Sequence, residues 1–98
     1  MTLRVVFRRA ARREFDDAVD RCDEQRPGLG EEFILEIDHA VANAAAAPER
    51  YPIVFGDVRR TVARRFPFSV YFRVRRDSMV VPSVFDGRRN PAIWQRRV

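Results

Sequence analysis

The spacing of apolar residues changes along the chain, and each change marks an element. Leu3 to Phe7 is a short run rich in β-formers. From Arg9 the spacing lengthens to three or four residues, so that Ala11, Phe15, Ala18, Val19 and Cys22 share one face of a helix reaching Gln25. Arg12, Arg13, Asp16, Asp17, Asp20 and Asp23 take the other face. Arg26-Pro27-Gly28 interrupts the pattern, after which Leu29, Phe33, Ile37, Ala40, Val41 and Ala44 draw a second apolar stripe that Pro48 ends. So short a connection predicts an antiparallel helical hairpin.

Beyond Pro48 the period falls to two. Glu49 to Asp57 carries Pro52 and Gly56 and reads as an irregular connection whose apolar residues pack on the body. Val58 to Arg65 alternates, with Val58, Arg60, Val62 and Arg64 on one side and Arg59, Thr61, Ala63 and Arg65 on the other. Arg on both sides predicts a strand at a sheet edge or beside a charged groove. Phe66 to Val74 and Met79 to Phe85 are longer apolar runs around Arg75-Arg76-Asp77-Ser78, the pattern of an antiparallel hairpin with a four-residue connection. Phe68, Val70, Phe72 and Val74 share one face of its first strand, and the first three are expected against Phe15 and Phe33. Ser69, Tyr71, Arg73 and Arg75 share the face left for a charged partner. Pro82 cannot donate to a ladder, which predicts an edge position or a bulge there. The expectation is one α+β domain over residues 1–98, ordered β-α-α-β-β-β, with a two-helix N-terminal hairpin packed on a small twisted, mostly antiparallel sheet.

Composition supports a packed core: 98 residues, 46% of them hydrophobic and eight of them Phe, suffice for one domain without staples. Charge changes the picture more. Every basic residue is Arg, and residues 1–50 hold eight Arg against eleven acids, whereas residues 51–98 hold eleven against three, giving −3 and +8. A field so divided points to an acidic protein or a nucleic acid meeting the C-terminal half. The single Cys22 excludes an internal disulfide and fits a reducing cytoplasm, and its helical spacing makes it a small core hydrophobe. No apolar run is long enough to span a bilayer of roughly 30 Å, so a cytoplasmic protein without a membrane partner is expected.

Catalytic motifs are few. There is no phosphate-binding glycine loop, no Cys/His metal spacing and no Ser-His-Asp set. Glu36 and His39 lie three apart beside Glu32 on the polar face of the second helix, but two ligands without a third read as a solvated face, and neither metal nor cofactor is expected.

The runs RRFPFSVYFRV, Arg64 to Val74, and FDGRRNPAIW, Phe85 to Trp94, joined by a hydrophobic strand, resemble the C-terminal half of the ParE/RelE superfamily of bacterial toxins. With the helical half upstream the resemblance covers nearly the whole chain. It implies the toxin of a type II toxin–antitoxin system, a plasmid stabilisation protein held inactive by a cognate antitoxin. On the ParE side it implies inhibition of DNA gyrase, and so of replication, by protein contact without a catalytic centre. The alternatives it implies are a RelE-like, ribosome-dependent mRNA endoribonuclease, whose partners are ribosome and mRNA, and a module that only binds its antitoxin. Arg88 and Arg89 match the basic pair that such toxins carry after the last strand. Ser69 stands where the messenger-cleaving relatives place an Arg, and Asp86 where many members have a His before the Gly. Trp94 matches their C-terminal aromatic but has no proton to transfer. Asp86 is therefore expected as an ion-pair partner of the Arg pair, and Trp94 as a plug closing the sheet against the helices. Arg60, Arg64, Arg73, Arg75, Arg88, Arg89 and Trp94 are the candidate contacts to target or antitoxin; no catalytic residue is assigned.

Overall fold

The chain begins with a four-residue strand, β1 (Arg4–Phe7), and turns at once into helix α1 (Arg9–Gln25) in the computed structural model, which describes residues 2–98. Ala11, Phe15, Ala18 and Cys22 are buried, as their spacing requires, and Val19 is half-buried beside them. The first turn of α1 holds no acid, so Arg9 and Arg12 meet the positive end of the helix dipole and packing has to hold the helix. Burial raises the Cys22 thiol pKa, with a smaller push from Asp23, so this thiol stays protonated and inert.

Two glycines make the turn into α2 (Leu29–Ala46). Gly28 sits at φ +91°, in the left-handed region that side chains disfavour. Gly30 donates its N–H to the Asp23 carboxylate at 2.8 Å, so α1 caps α2. A Cβ on Gly30 would lie 2.7 Å from that carboxylate, so a larger residue would push the Asp23 side chain aside and lose this cap.

After a 3₁₀ turn (Pro48–Arg50) come β2 (Ile53–Phe55), β3 (Val58–Val62), β4 (Phe68–Arg75), β5 (Ser78–Asp86) and the short helix α3 (Ala92–Gln95). The sheet order is β1-β5-β4-β3-β2: a meander of four strands that returns to lie parallel to β1, with every other pairing antiparallel. The α+β architecture agrees with the expectation, two details correct it, and a third, at Pro82, decides between the two alternatives expected there. The stretch expected as irregular contributes β2, because the turn at Gly56 and Asp57 folds Ile53 to Phe55 back onto β3. The β4–β5 hairpin closes through two residues, since Arg75 pairs with Ser78, and Arg76 adopts φ +52° to make the turn. Pro82 is not at an edge, because β5 lies between β1 and β4. It sits at a bulge, where Tyr71 faces Ser83 but Arg73 faces Val80, just past the end of the β1 ladder at Val81.

α1 and α2 cover one face of the sheet. Phe68, Val70 and Phe72 enter the same cluster as Phe15, Phe33 and Ile37, and the Phe33 ring lies 5.0 to 5.8 Å from those of Phe68, Phe66 and Phe15. Val74, assigned to the same face, is exposed near the strand's end. The opposite face carries a second cluster of Val58, Tyr71, Phe85 and Trp94, with the Trp94 ring stacked 3.9 Å from that of Tyr71. Trp94 is thus a plug, 2% exposed, but on the side away from the long helices. Ser69 and Tyr71, expected on a face open to a partner, are buried there. For Tyr71 the reason is the tail: Asn90 accepts the N–H of Ala92 and starts α3, and Arg97 ties this segment to Glu14 and to the carbonyl of Pro82. Among the described residues no helix is long and apolar enough to cross a membrane.

Candidate functional site

A groove of about 790 Å³ runs between α2 and the outer edge of β3. Leu35, Glu36, His39 and Ala40 form its helical wall, and Arg60 to Arg65 form the other. Its floor follows from the alternation on β3, which turns Thr61 and Ala63 inward, both buried, and leaves Arg60 and Val62 exposed. Arg65 closes one end of the groove: its guanidinium meets Glu32 at 2.5 Å, and its N–H donates to Glu36 at 2.7 Å. The Arg65 contact, followed by that from Arg26, holds the Glu32 carboxyl below its ordinary pKa. Arg60 and Arg64 are exposed and form no ion pair among the described residues.

The other candidate residues lie elsewhere. Arg73 and Arg75 converge on Asp57, at 2.6 and 2.8 Å, and together tie the β2–β3 turn to β4. These two guanidiniums, Arg75 more than Arg73, bring the Asp57 pKa down to about 2. Beyond β5, Asp86 accepts from the Arg88 side chain at 2.6 Å and from its N–H at 2.9 Å, the ion pair expected from the sequence. That contact holds the Asp86 carboxyl below its ordinary range. Arg89 lies over the Phe85 ring at 5.2 Å and borders a small recess with Glu14, Asp17, Arg21 and Asp86. Trp94 is enclosed, with its indole Nε1 buried and without an acceptor among the described residues.

The seven candidates therefore fall into a groove pair, a turn clamp, a turn after β5 and a core plug. Sequence reasoning anticipated Asp86 but missed Asp57, Glu32 and Glu36. Glu32 and Glu36 reach Arg65 across the fold, a contact that no local pattern announces. Leu35 was a signal: it stands outside the apolar stripe of α2 and is 63% exposed.

No family model matches the sequence, and no curated protein matches it. Among solved structures the chain is similar to one in the "Chromosomal ParDE TA system from P. aeruginosa", at 19% identity and a TM-score of 0.76, over 87% of this chain and 96% of that one. The two share a fold.

Proposed function

We propose that the chain is the toxin of a type II toxin–antitoxin system, neutralised by a cognate antitoxin, and that it acts on DNA gyrase by protein contact. The observation that carries the toxin reading is the likeness of nearly the whole fold to a chain of a ParDE toxin–antitoxin system. A fold alone does not fix a function; here it agrees with the motifs at Arg64 to Val74 and Phe85 to Trp94.

The electrostatics of the turn after β5 favour contact over cleavage. A nuclease would need Arg88 and Arg89 free to stabilise charge developing on a phosphate. Arg88 is instead held by Asp86, and Arg89 lies over the Phe85 ring beside a recess that Arg21 shares with the carboxylates of Glu14, Asp17 and Asp86, so neither guanidinium stands alone to meet a phosphate. Ser69 and Trp94 are both buried, which withdraws them from any reacting group at this turn.

The test is expression without antitoxin, together with supercoiling by purified gyrase in the presence of the purified chain. Growth arrest relieved by the antitoxin, with supercoiling inhibited, is the expected result. Arrest with supercoiling untouched and messenger cut on the ribosome would replace gyrase by the ribosome. A chain that binds its antitoxin but never arrests growth would leave only the binding module.

A further inference from the structure

Helix α3 covers only part of the sheet face that is turned away from the long helices. Trp94 seals Tyr71, Phe85 and Val58, whereas Arg4, Val6 and Arg75 at the other end of that face are exposed. The ladders fix which side chains meet there. Leu3, Val5 and Phe7 pack into the helix-side cluster, as do Met79, Val81 and Phe72. Alternation therefore turns Arg4 and Val6 of β1, Ser78 and Val80 of β5, and Arg73 and Arg75 of β4 to the far side. Register aligns them in two rows across three strands: Arg4, Ser78 and Arg75 in one, Val6, Val80 and Arg73 in the next. Arg8 continues the β1 row, since its backbone is still extended and its N–H donates to the carbonyl of Val81 at 3.0 Å.

A face that only meets water carries polar residues at its outward positions. This one has Val6, 40% exposed, and half-buried Val80 at its centre, with Arg4, Arg8, Arg73 and Arg75 around them. The acids at its border are Asp57, which Arg73 and Arg75 share, and Asp77 in the β4–β5 turn. Arg8 has no ion pair among the described residues, and Arg4 reaches only the Ser78 hydroxyl at 3.4 Å. A positive rim around an apolar centre is complemented by carboxylates around an apolar side chain. Single-stranded nucleic acid would stack its bases on aromatic rings, and the rings of this face, those of Tyr71, Phe85 and Trp94, are all buried.

We infer that this bare end of the sheet meets an acidic segment of the target protein, seated with an apolar side chain on Val6 and Val80 and with carboxylates on Arg4, Arg8 and Arg75. The inference rests on the reading of the chain as a toxin that acts by protein contact. It adds to the turn after β5 a second contact, on the opposite side of the sheet from the groove beside α2.

The test uses the full chain and two double variants, Arg4→Glu with Arg8→Glu, and Arg4→Lys with Arg8→Lys, which keeps both charges. Thermal melting checks that each variant folds, and Arg4→Gln with Arg8→Gln replaces the Glu pair if that pair does not. The Glu pair is expected to need about tenfold or more protein for the same inhibition of supercoiling by purified gyrase, and the Lys pair to stay within about threefold of the parent. Added salt is expected to narrow the gap. Unchanged inhibition by the folded charge-loss pair overturns this surface and leaves the toxin reading intact. Tighter binding of oligouridylate than of gyrase, lost in that pair, overturns the protein occupant. If the parent arrests growth but leaves gyrase untouched, growth arrest becomes the readout: arrest lost in the charge-loss pair and kept in the Lys pair upholds the surface and removes only gyrase, whereas arrest in every variant overturns the surface. A parent that never arrests growth overturns the toxin reading and this inference with it.

Discussion

Phe72 and Trp94 are both buried aromatics, yet the two faces of the sheet give them different weights. Phe72 is fully enclosed in the helix-side cluster, with the Tyr51 ring 5.9 Å away. Phe72→Ala is expected to destabilise by about 3–5 kcal/mol, a large part of what holds a domain of this size together, read as a fall in urea midpoint with unchanged slope. A loss under about 1 kcal/mol would mean that the face of β4 is wrongly assigned. Trp94 brings more area but leaves Nε1 unsatisfied, a penalty of about 1–3 kcal/mol for a buried donor. Trp94→Phe gives up part of the stack on Tyr71 and removes that penalty, so it is expected to stay within about 1 kcal/mol of the parent, whereas Trp94→Ala loses about 3–5 kcal/mol. Equal losses in both variants would show that the indole nitrogen finds an acceptor. That Phe68, Val70 and Phe72 point to the helices was legible from their alternation alone. That Tyr71 is buried as well was not, because the residue covering it comes from a tail more than twenty positions downstream.

At the scale of elements, β2 is the strand of the sheet exposed at every residue. It has three residues and is held through the Asp57 clamp on Arg73 and Arg75 and through Arg59, which donates to the carbonyl of Tyr51 at 2.7 Å. Asp57 has a folded pKa near 2, below the unfolded value near 3.8. Its contribution to stability is therefore fully present above about pH 4 and is lost as pH falls through about 2. Asp57 is open to solvent, so the effect should be small and screened by salt. The expected outcome is that Asp57→Asn lowers stability at pH 7 by a fixed amount and that the difference from the parent shrinks to nothing near pH 2. A gap that persists at pH 2 would assign the loss to the side chain's shape and not to its charge. The helices, the two long strands and the bulge at Pro82 could be read from period and proline. β2 escaped because three residues between Pro52 and Gly56 are too few to establish a period, and its partner is found only once the chain turns.

For the whole molecule, folding thins the division of charge along the sequence without abolishing it. Of the eleven Arg in the C-terminal half, Arg65 and Arg97 pair with Glu32 and Glu14 from the N-terminal half, and Arg73, Arg75 and Arg88 are held by Asp57 and Asp86. What remains for a partner is a sparser set that includes Arg60, Arg64 and Arg89, along with the apolar Leu35 and Val62. On the proposed reading, affinity for an antitoxin should then fall with rising salt but only in part, since the apolar anchors are not screened. A complex indifferent to salt, with contacts confined to the acidic faces of the helices, would contradict this. The same arrangement separates a gyrase poison from a nuclease through the double variant Arg88→Ala, Arg89→Ala. If the chain acts by contact, the variant should bind gyrase more weakly and associate more slowly, with no chemical step to lose. If it cleaves RNA, removing charge that stabilises the phosphate should lower the rate by about 10²–10³ for each such group, with binding to the ribosome largely kept. Following DNA synthesis and messenger integrity separately after induction distinguishes them. The expected course is arrest of DNA synthesis while messenger is still whole, delayed in the variant. Messenger lost first, at positions set by codons, would overturn the gyrase reading, because the Asp86 contact would then have to open to free Arg88 for the phosphate.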